Sequence, residues 1–123
     1  MNPKGYVIVL EDDELIRKLL ERWLAEAGFE TALHAPSVSQ DAAQNAPCLV
    51  IANVSSPQAA QPLIESLRAV YAAPILILSA RFRRGLAGSA EAARRLGVKK
   101  VLPKPFTRKE LLSAVRESLE GAG

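Results

Sequence analysis

The strongest constraint on the fold is a repeated pairing: a short apolar run of strand length, then a segment whose apolar residues recur every three or four positions. Tyr6-Val7-Ile8-Val9-Leu10, Cys48 to Val54 and Ile75-Leu76-Ile77-Leu78 lack the polar/apolar alternation of a strand with one wet face. Such strands need apolar cover on both sides, as in a parallel sheet flanked by helices. Between them, Leu15, Ile16, Leu19, Leu20, Trp23, Leu24 and Ala27 recur at helical spacing, and Gly28 stands where a helix end favours a left-handed residue.

The same reading continues along the chain. A weak strand is expected from Glu30 to His34, a short helix within Ser37 to Asn45, and a helix starting near Pro62 that buries Leu63, Ile64, Leu67 and Val70. A further helix is expected around Ser89 to Leu96, closed by Gly97, then a strand from Lys100 to Leu102. Thr107-Arg108-Lys109-Glu110 has the spacing of a capping box, and Leu111, Leu112, Val115 and Leu119 continue it as the last helix. Five strands alternating with five helices predict an α/β, doubly wound, five-stranded parallel sheet with helices on both faces. The 123 residues suit one domain, 1–123, with a core over about 6–119.

Composition narrows the class. With 49% hydrophobic and 24% charged residues the balance is globular, and no apolar run approaches the roughly 20 residues of a membrane span. The single cysteine, Cys48, lies within an apolar run, so it reads as a small core residue in a reducing, cytoplasmic setting rather than half of an internal disulfide. Residues 1–5 precede a strand rather than a signal-peptide apolar region. The net charge of +3 is unevenly spread: 5 Lys/Arg against 9 Asp/Glu in residues 1–80, and 11 against 4 in residues 81–123. A basic end attracts acidic partners or nucleic acid, but without interleaved aromatics for base stacking a solvated protein surface is the preferred reading.

In a doubly wound sheet, ligands gather at the carboxyl ends of the strands, near the point where the strand order reverses. The residues there are Glu11, Asp12 and Asp13, then Asn53, Ser79 and Lys104. No glycine-rich phosphate loop follows the first strand, and the acidic cluster would repel a phosphate unless a cation intervened. Paired carboxylates point to Mg²⁺, bridging to a phosphoryl group whose other oxygens a lysine and a hydroxyl contact. In isolation, the run Glu11 to Glu14 reads first as the acidic start of a helix, favoured by the positive end of its dipole.

Four stretches in this order, "VIVLEDDELIR", "PCLVIANVSSP", "PILILSA" and "VLPKPF", resemble the response-regulator receiver domains of two-component signalling, from Tyr6 to about Leu119. The resemblance implies a flavodoxin-like fold. It matches Glu11 and Asp12 to the family's acidic, Mg²⁺-binding pair, Ser79 to its switch hydroxyl, Lys104 to its lysine, and Pro105 to a proline whose preceding bond is usually cis. Asn53 matches the phosphoacceptor aspartate.

An amide oxygen is neutral and weakly nucleophilic, so Asn53 is not expected to accept phosphate, and the missing negative charge weakens or abolishes the Mg²⁺ site. No cofactor is then required, and Lys104 is free to pair with the acidic cluster. Other departures agree: Gln58-Ala59-Ala60-Gln61 follows Pro57 in place of the usual Gly-rich, acidic turn, and Val101 stands where an aromatic switch residue is common. The stretch containing "RFRRGLAGS" is long, consistent with a remodelled loop.

His34 reads as a non-catalytic histidine, Trp23 as a helix anchor, and Ser55 and Ser56 as turn residues. The expectation is a non-enzymatic pseudo-receiver acting by phosphorylation-independent protein interaction. Its partner would be a histidine kinase or other signalling protein, or a second copy, met through the fourth helix, fifth strand and fifth helix. There Arg94, Arg95, Lys99, Lys100, Arg108 and Lys109 cluster in sequence. The alternatives are a Mg²⁺-dependent receiver phosphorylated at another residue and, with only the charge bias behind it, a nucleic-acid-binding module.

Overall fold

Five parallel strands form the sheet in order β2-β1-β3-β4-β5: β1 (Tyr6–Leu10), β2 (Glu30–Ala32), β3 (Leu49–Asn53), β4 (Ile75–Ser79) and β5 (Lys100–Pro103). Among the described residues, three helices accompany them, α1 (Glu14–Glu26), α2 (Pro57–Val70) and α3 (Arg108–Glu120), and residues 93–96 are also helical. The structure, a computed structural model, describes residues 6–32, 47–54, 57–71, 73–79 and 93–120, without the side chains of 57–59. His34, the helix expected within Ser37 to Asn45, Ser55, Ser56, the "RFRRGLAGS" stretch and the start of the helix expected from Ser89 lie outside the described residues.

The apolar runs sort by parity onto two cores, which explains why they do not alternate. Val7, Val9, Leu49, Ile51, Leu76, Leu78 and Leu102 face Leu20 and Leu24 of α1 and Leu111, Ala114 and Val115 of α3. Ile8, Val50, Ala52, Ile75, Ile77 and Val101 face Ala60, Ile64 and Leu67 of α2, with Ala93. At about 1.5–3 kcal/mol for each large apolar side chain taken out of water, this two-sided burial dominates the stabilising terms. Val101, on β5, is buried inside this second core.

Capping follows the local sequence. The Asp13 side chain accepts from the backbone N–H groups of Leu15 (3.0 Å) and Ile16 (3.3 Å), satisfying two donors that open α1. Gly28 ends that helix at φ 99°, and the Phe29 N–H returns to the Leu24 carbonyl at 2.9 Å. At α3, Thr107 N donates to Glu110 Oε1 (2.8 Å) and Glu110 N to Thr107 Oγ1 (3.1 Å), the reciprocal pair that the spacing predicts.

Three expectations need correction. Helix α2 begins at Pro57 rather than near Pro62, which places Pro62 inside the helix. An interior proline removes one backbone hydrogen bond, but the buried stripe Ala60, Ile64 and Leu67 runs through both sides of it and carries the helix past the break. Val70 is not buried but 62% exposed, because it lies in the last turn, beyond that stripe. In α1, Leu15 and Leu19 are 76% and 43% exposed; Leu20 and Leu24 point at the sheet, whereas residues 15 and 19 lie on an outer flank of the helix.

Cys48 packs partly buried against the first core, and burial pushes its thiol above the ordinary 9.0, opposed in part by a backbone hydrogen bond. A thiol whose pKa rises on folding contributes stability that is complete below the unfolded value and is lost as pH climbs through the folded one. Alkylation of the folded protein is therefore expected to titrate above pH 9.0 and above the guanidinium-unfolded chain. Coincident midpoints would show that the thiol is not desolvated.

Candidate functional site

The order β2-β1-β3 places the reversal of the sheet between β1 and β3, so the two strands that end in polar residues are neighbours. Leu10 pairs with Ala52, which brings Glu11 and Asn53 to the same carboxyl edge. Asn53 in turn pairs with Leu78, one residue before Ser79, and Ser79 pairs with Pro103, one residue before Lys104. The parallel register thus gathers Glu11, Asp12, Asn53, Ser79 and Lys104 along one end of the sheet.

Their environments differ. Glu11 is buried, with its side chain 2% exposed, and both carboxylate oxygens are engaged: Oε1 accepts from Lys104 Nζ at 2.8 Å and Oε2 from the Asp13 backbone N–H at 3.0 Å. Lys104, also largely covered, precedes Pro105 through a cis peptide bond, as the resemblance implies. Asp12 is exposed, Asn53 is half-buried, and Ser79 is fully buried. An open hollow of about 340 Å³ is lined by Glu11, Asp12, Asn53 and, from the helices, Arg17 and Leu63.

In this donor set the Lys104 ammonium competes with a divalent cation. A hard ion seeks carboxylate oxygens with free lone pairs, whereas the Lys104 ammonium already occupies the cationic place beside Glu11. Asp12 is left as the carboxylate without such a commitment on the hollow. Among the described residues, no group of three or more His, Cys, Asp or Glu side chains is arranged to hold a metal ion.

Arg17 is the site residue that sequence reasoning missed. Its N–H bonds the Asp13 carbonyl at 2.8 Å, so it lies one turn into α1. Side chains on a helix lean toward its N-terminus, and the N-terminus of α1 opens onto the strand edge. The signal was a long cation one turn after a strand-to-helix junction.

The basic residues of the C-terminal part do not share one direction. Arg94, Arg95 and Lys99 are exposed, but Lys100 is bound to Glu117 (2.8 Å), and Arg108 turns toward α1, where it meets Glu26 (3.2 Å). Trp23 and Phe106 join the same two helical regions edge to face, with ring centroids 6.4 Å apart.

No family model matches the chain. Protein PetR of Rhodobacter capsulatus is 32% identical over 120 residues, an alignment that takes in 93% of this chain and 48% of PetR. The chain thus spans about half the length of that relative. A response regulator receiver protein from Burkholderia phymatum has the same fold, with a TM-score of 0.69, 24% identity and coverage of 95% of this chain and 96% of that one. The beryllofluoride-activated NtrC receiver domain superposes with a TM-score of 0.61 at 26% identity, covering 98% of both chains. The chain has the fold of response-regulator receiver domains. The five-stranded parallel sheet and the cis bond before Pro105 are common ground between the sequence resemblance and the fold, and the strand register gathers Glu11, Asp12, Asn53, Ser79 and Lys104 at one edge. Among the described residues of the receiver domain, no helix is long and apolar enough to cross a membrane.

Proposed function

We propose that this receiver domain is a pseudo-receiver, a non-enzymatic module of a two-component or related pathway that signals by protein contact without being phosphorylated. The observation that carries the reading is the amide of Asn53 at the end of β3, beside a Glu11 carboxylate already held by Lys104. Transfer of a phosphoryl group to a receiver needs a carboxylate nucleophile and a cation to offset the charge that develops on the phosphoryl oxygens. Asn53 withdraws the first, and the Glu11–Lys104 pair competes with the second.

The test is incubation with acetyl phosphate or phosphoramidate and Mg²⁺, followed by intact mass measurement. No stable phosphoprotein is expected. An acid-labile gain of one phosphoryl group per chain would overturn the reading. Such a gain mapped away from Asn53 would support the second reading, a Mg²⁺-dependent receiver modified at another residue, for which the retained Glu11, Asp12, Ser79 and Lys104 speak. Nucleic-acid binding has only the charge bias behind it.

The partner in this proposal is a histidine kinase or another signalling protein, or a second copy, met at the surface around residues 93–96, β5 and α3. Reversing Arg94, Lys99 and Lys109 is expected to slow association with such a partner and to reduce its salt dependence, whereas reversing Arg17, Lys18 and Arg22 on α1 is not. Equal loss from both sets, measured by stopped-flow or surface binding, would reject a dedicated basic face.

A further inference from the structure

Two hollows adjoin on the outer side of α3 and share Leu112 and Arg116. One, of about 450 Å³, is lined mainly by the apolar Ala27, Phe29, Leu112, Val115 and Leu119, together with Arg116 and Glu120, between the end of α1 and the second half of α3. The other, of about 320 Å³, lies toward the start of α3 among Arg108, Lys109, Ser113 and Arg116, with no carboxylate in its lining. Together they make a furrow along α3 that is cationic at one end and apolar at the other. From the structure we infer that this furrow docks an amphipathic helix of a partner protein, with carboxylates in one terminal turn and an apolar stripe along the rest.

Size and charge both select this occupant. Helix α3 has 13 residues, a length of about 20 Å at 1.5 Å per residue, so the furrow accommodates about three to four turns of a partner helix. Docking an apolar helical stripe into a groove beside polar rim contacts is an established recognition mode. Of the three cations, Arg108 is offset by Glu26. Arg116 meets Glu120 only at 4.0 Å with both side chains about 70% exposed, a contact too solvated to commit it. Lys109 and Arg116 therefore set the preference for carboxylates. A second copy fits less well, because a two-fold contact in which the helices run antiparallel sets the cationic end of one furrow against the apolar end of the other. Nucleic acid fits less well too, since a phosphate backbone calls for a run of cations rather than an apolar floor. The furrow lies apart from the Asn53 hollow, so the inference holds whether or not Asn53 takes phosphate.

The test is an amide chemical-shift titration of the isotope-labelled full chain with a synthetic helical peptide of about 14 residues. The peptide carries an apolar i, i+3, i+4, i+7 stripe and glutamates in one terminal turn. A second peptide has lysines in place of the glutamates, and a third is scrambled. The expected result is saturable binding of the glutamate peptide, with shifts centred on Ala27, Leu112, Arg116 and Leu119. Combined Lys109→Glu and Arg116→Glu, both on the surface, should weaken that binding about tenfold while circular dichroism stays unchanged. Equal binding of the lysine or scrambled peptide, shifts centred elsewhere, or no saturation at millimolar peptide would overturn the proposal. So would concentration-dependent sedimentation in the absence of peptide that the same double variant abolishes, since that would assign the furrow to a second copy.

Discussion

Replacing Lys104 with methionine is expected to lower the free energy of unfolding by about 3–5 kcal/mol, the cost of leaving a buried charge without its partner. The magnitude follows from the surroundings of Glu11. Its side chain is 2% exposed, Lys104 lies 2.8 Å away, and the backbone N–H of Asp13 is the other group bonded to it. Methionine keeps the aliphatic stem and removes the charge, so packing changes little. The companion variant Lys104→Met with Glu11→Gln removes both charges and should recover most of the loss, because partners in one ion pair are not additive. Urea unfolding of the four species of this cycle measures the coupling. A single-variant cost under about 1 kcal/mol, or a double variant as unstable as the sum of the singles, would show that the pair does not hold the strand edges together.

Asn53→Asp is expected to have the largest functional effect, taking the protein from no phosphorylation to detectable phosphorylation by a small-molecule donor. The substitution places a carboxylate at the end of β3, on the edge shared with Glu11 and near Asp12. One added negative charge favours Mg²⁺ directly, and it also offers Lys104 an alternative partner, which would release oxygens of Glu11 for the cation. Mg²⁺ affinity should rise at least about tenfold over the parent, read by calorimetry or by a metal-dependent rise in melting temperature. If the variant binds Mg²⁺ no better than the parent, Asn53 is not what limits Mg²⁺ binding at this edge, and the Glu11–Lys104 pair is the first place to look.

How far the sequence reaches is clear from particular residues. The runs at Tyr6 to Leu10 and Ile75 to Leu78 announce strands covered on both faces, and the two cores divide them by parity as that pattern requires. Asp13, Gly28 and the Thr107/Glu110 box mark helix ends through bonds spanning only a few residues, so their signal is local and legible. The amide of Asn53 is a matter of residue identity, and the chemistry that follows from it needs no coordinates.

Other features answer to competition between distant groups. Pro62 argues locally for a helix start, yet burial of Ala60 with Ile64 and Leu67 against the sheet extends α2 back to Pro57. Leu15 and Leu19 have the spacing of core residues, but which part of a broad apolar arc meets the sheet depends on how the helix is rotated upon it. Arg108 joins a basic run in sequence and an acidic residue of α1 in space.

Glu11 and Lys104 are 93 residues apart, and no local preference states that they meet. Among the described residues, short-range sterics, hydrogen bonding and apolar period determined by themselves which elements form, where most of them end, and that an amide stands at the edge of β3. The strand order, the rotation of each helix and the Lys104 ammonium seated on Glu11 were decided only by tertiary structure, because they depend on which buried surfaces and charges find one another after the chain has closed its long loops.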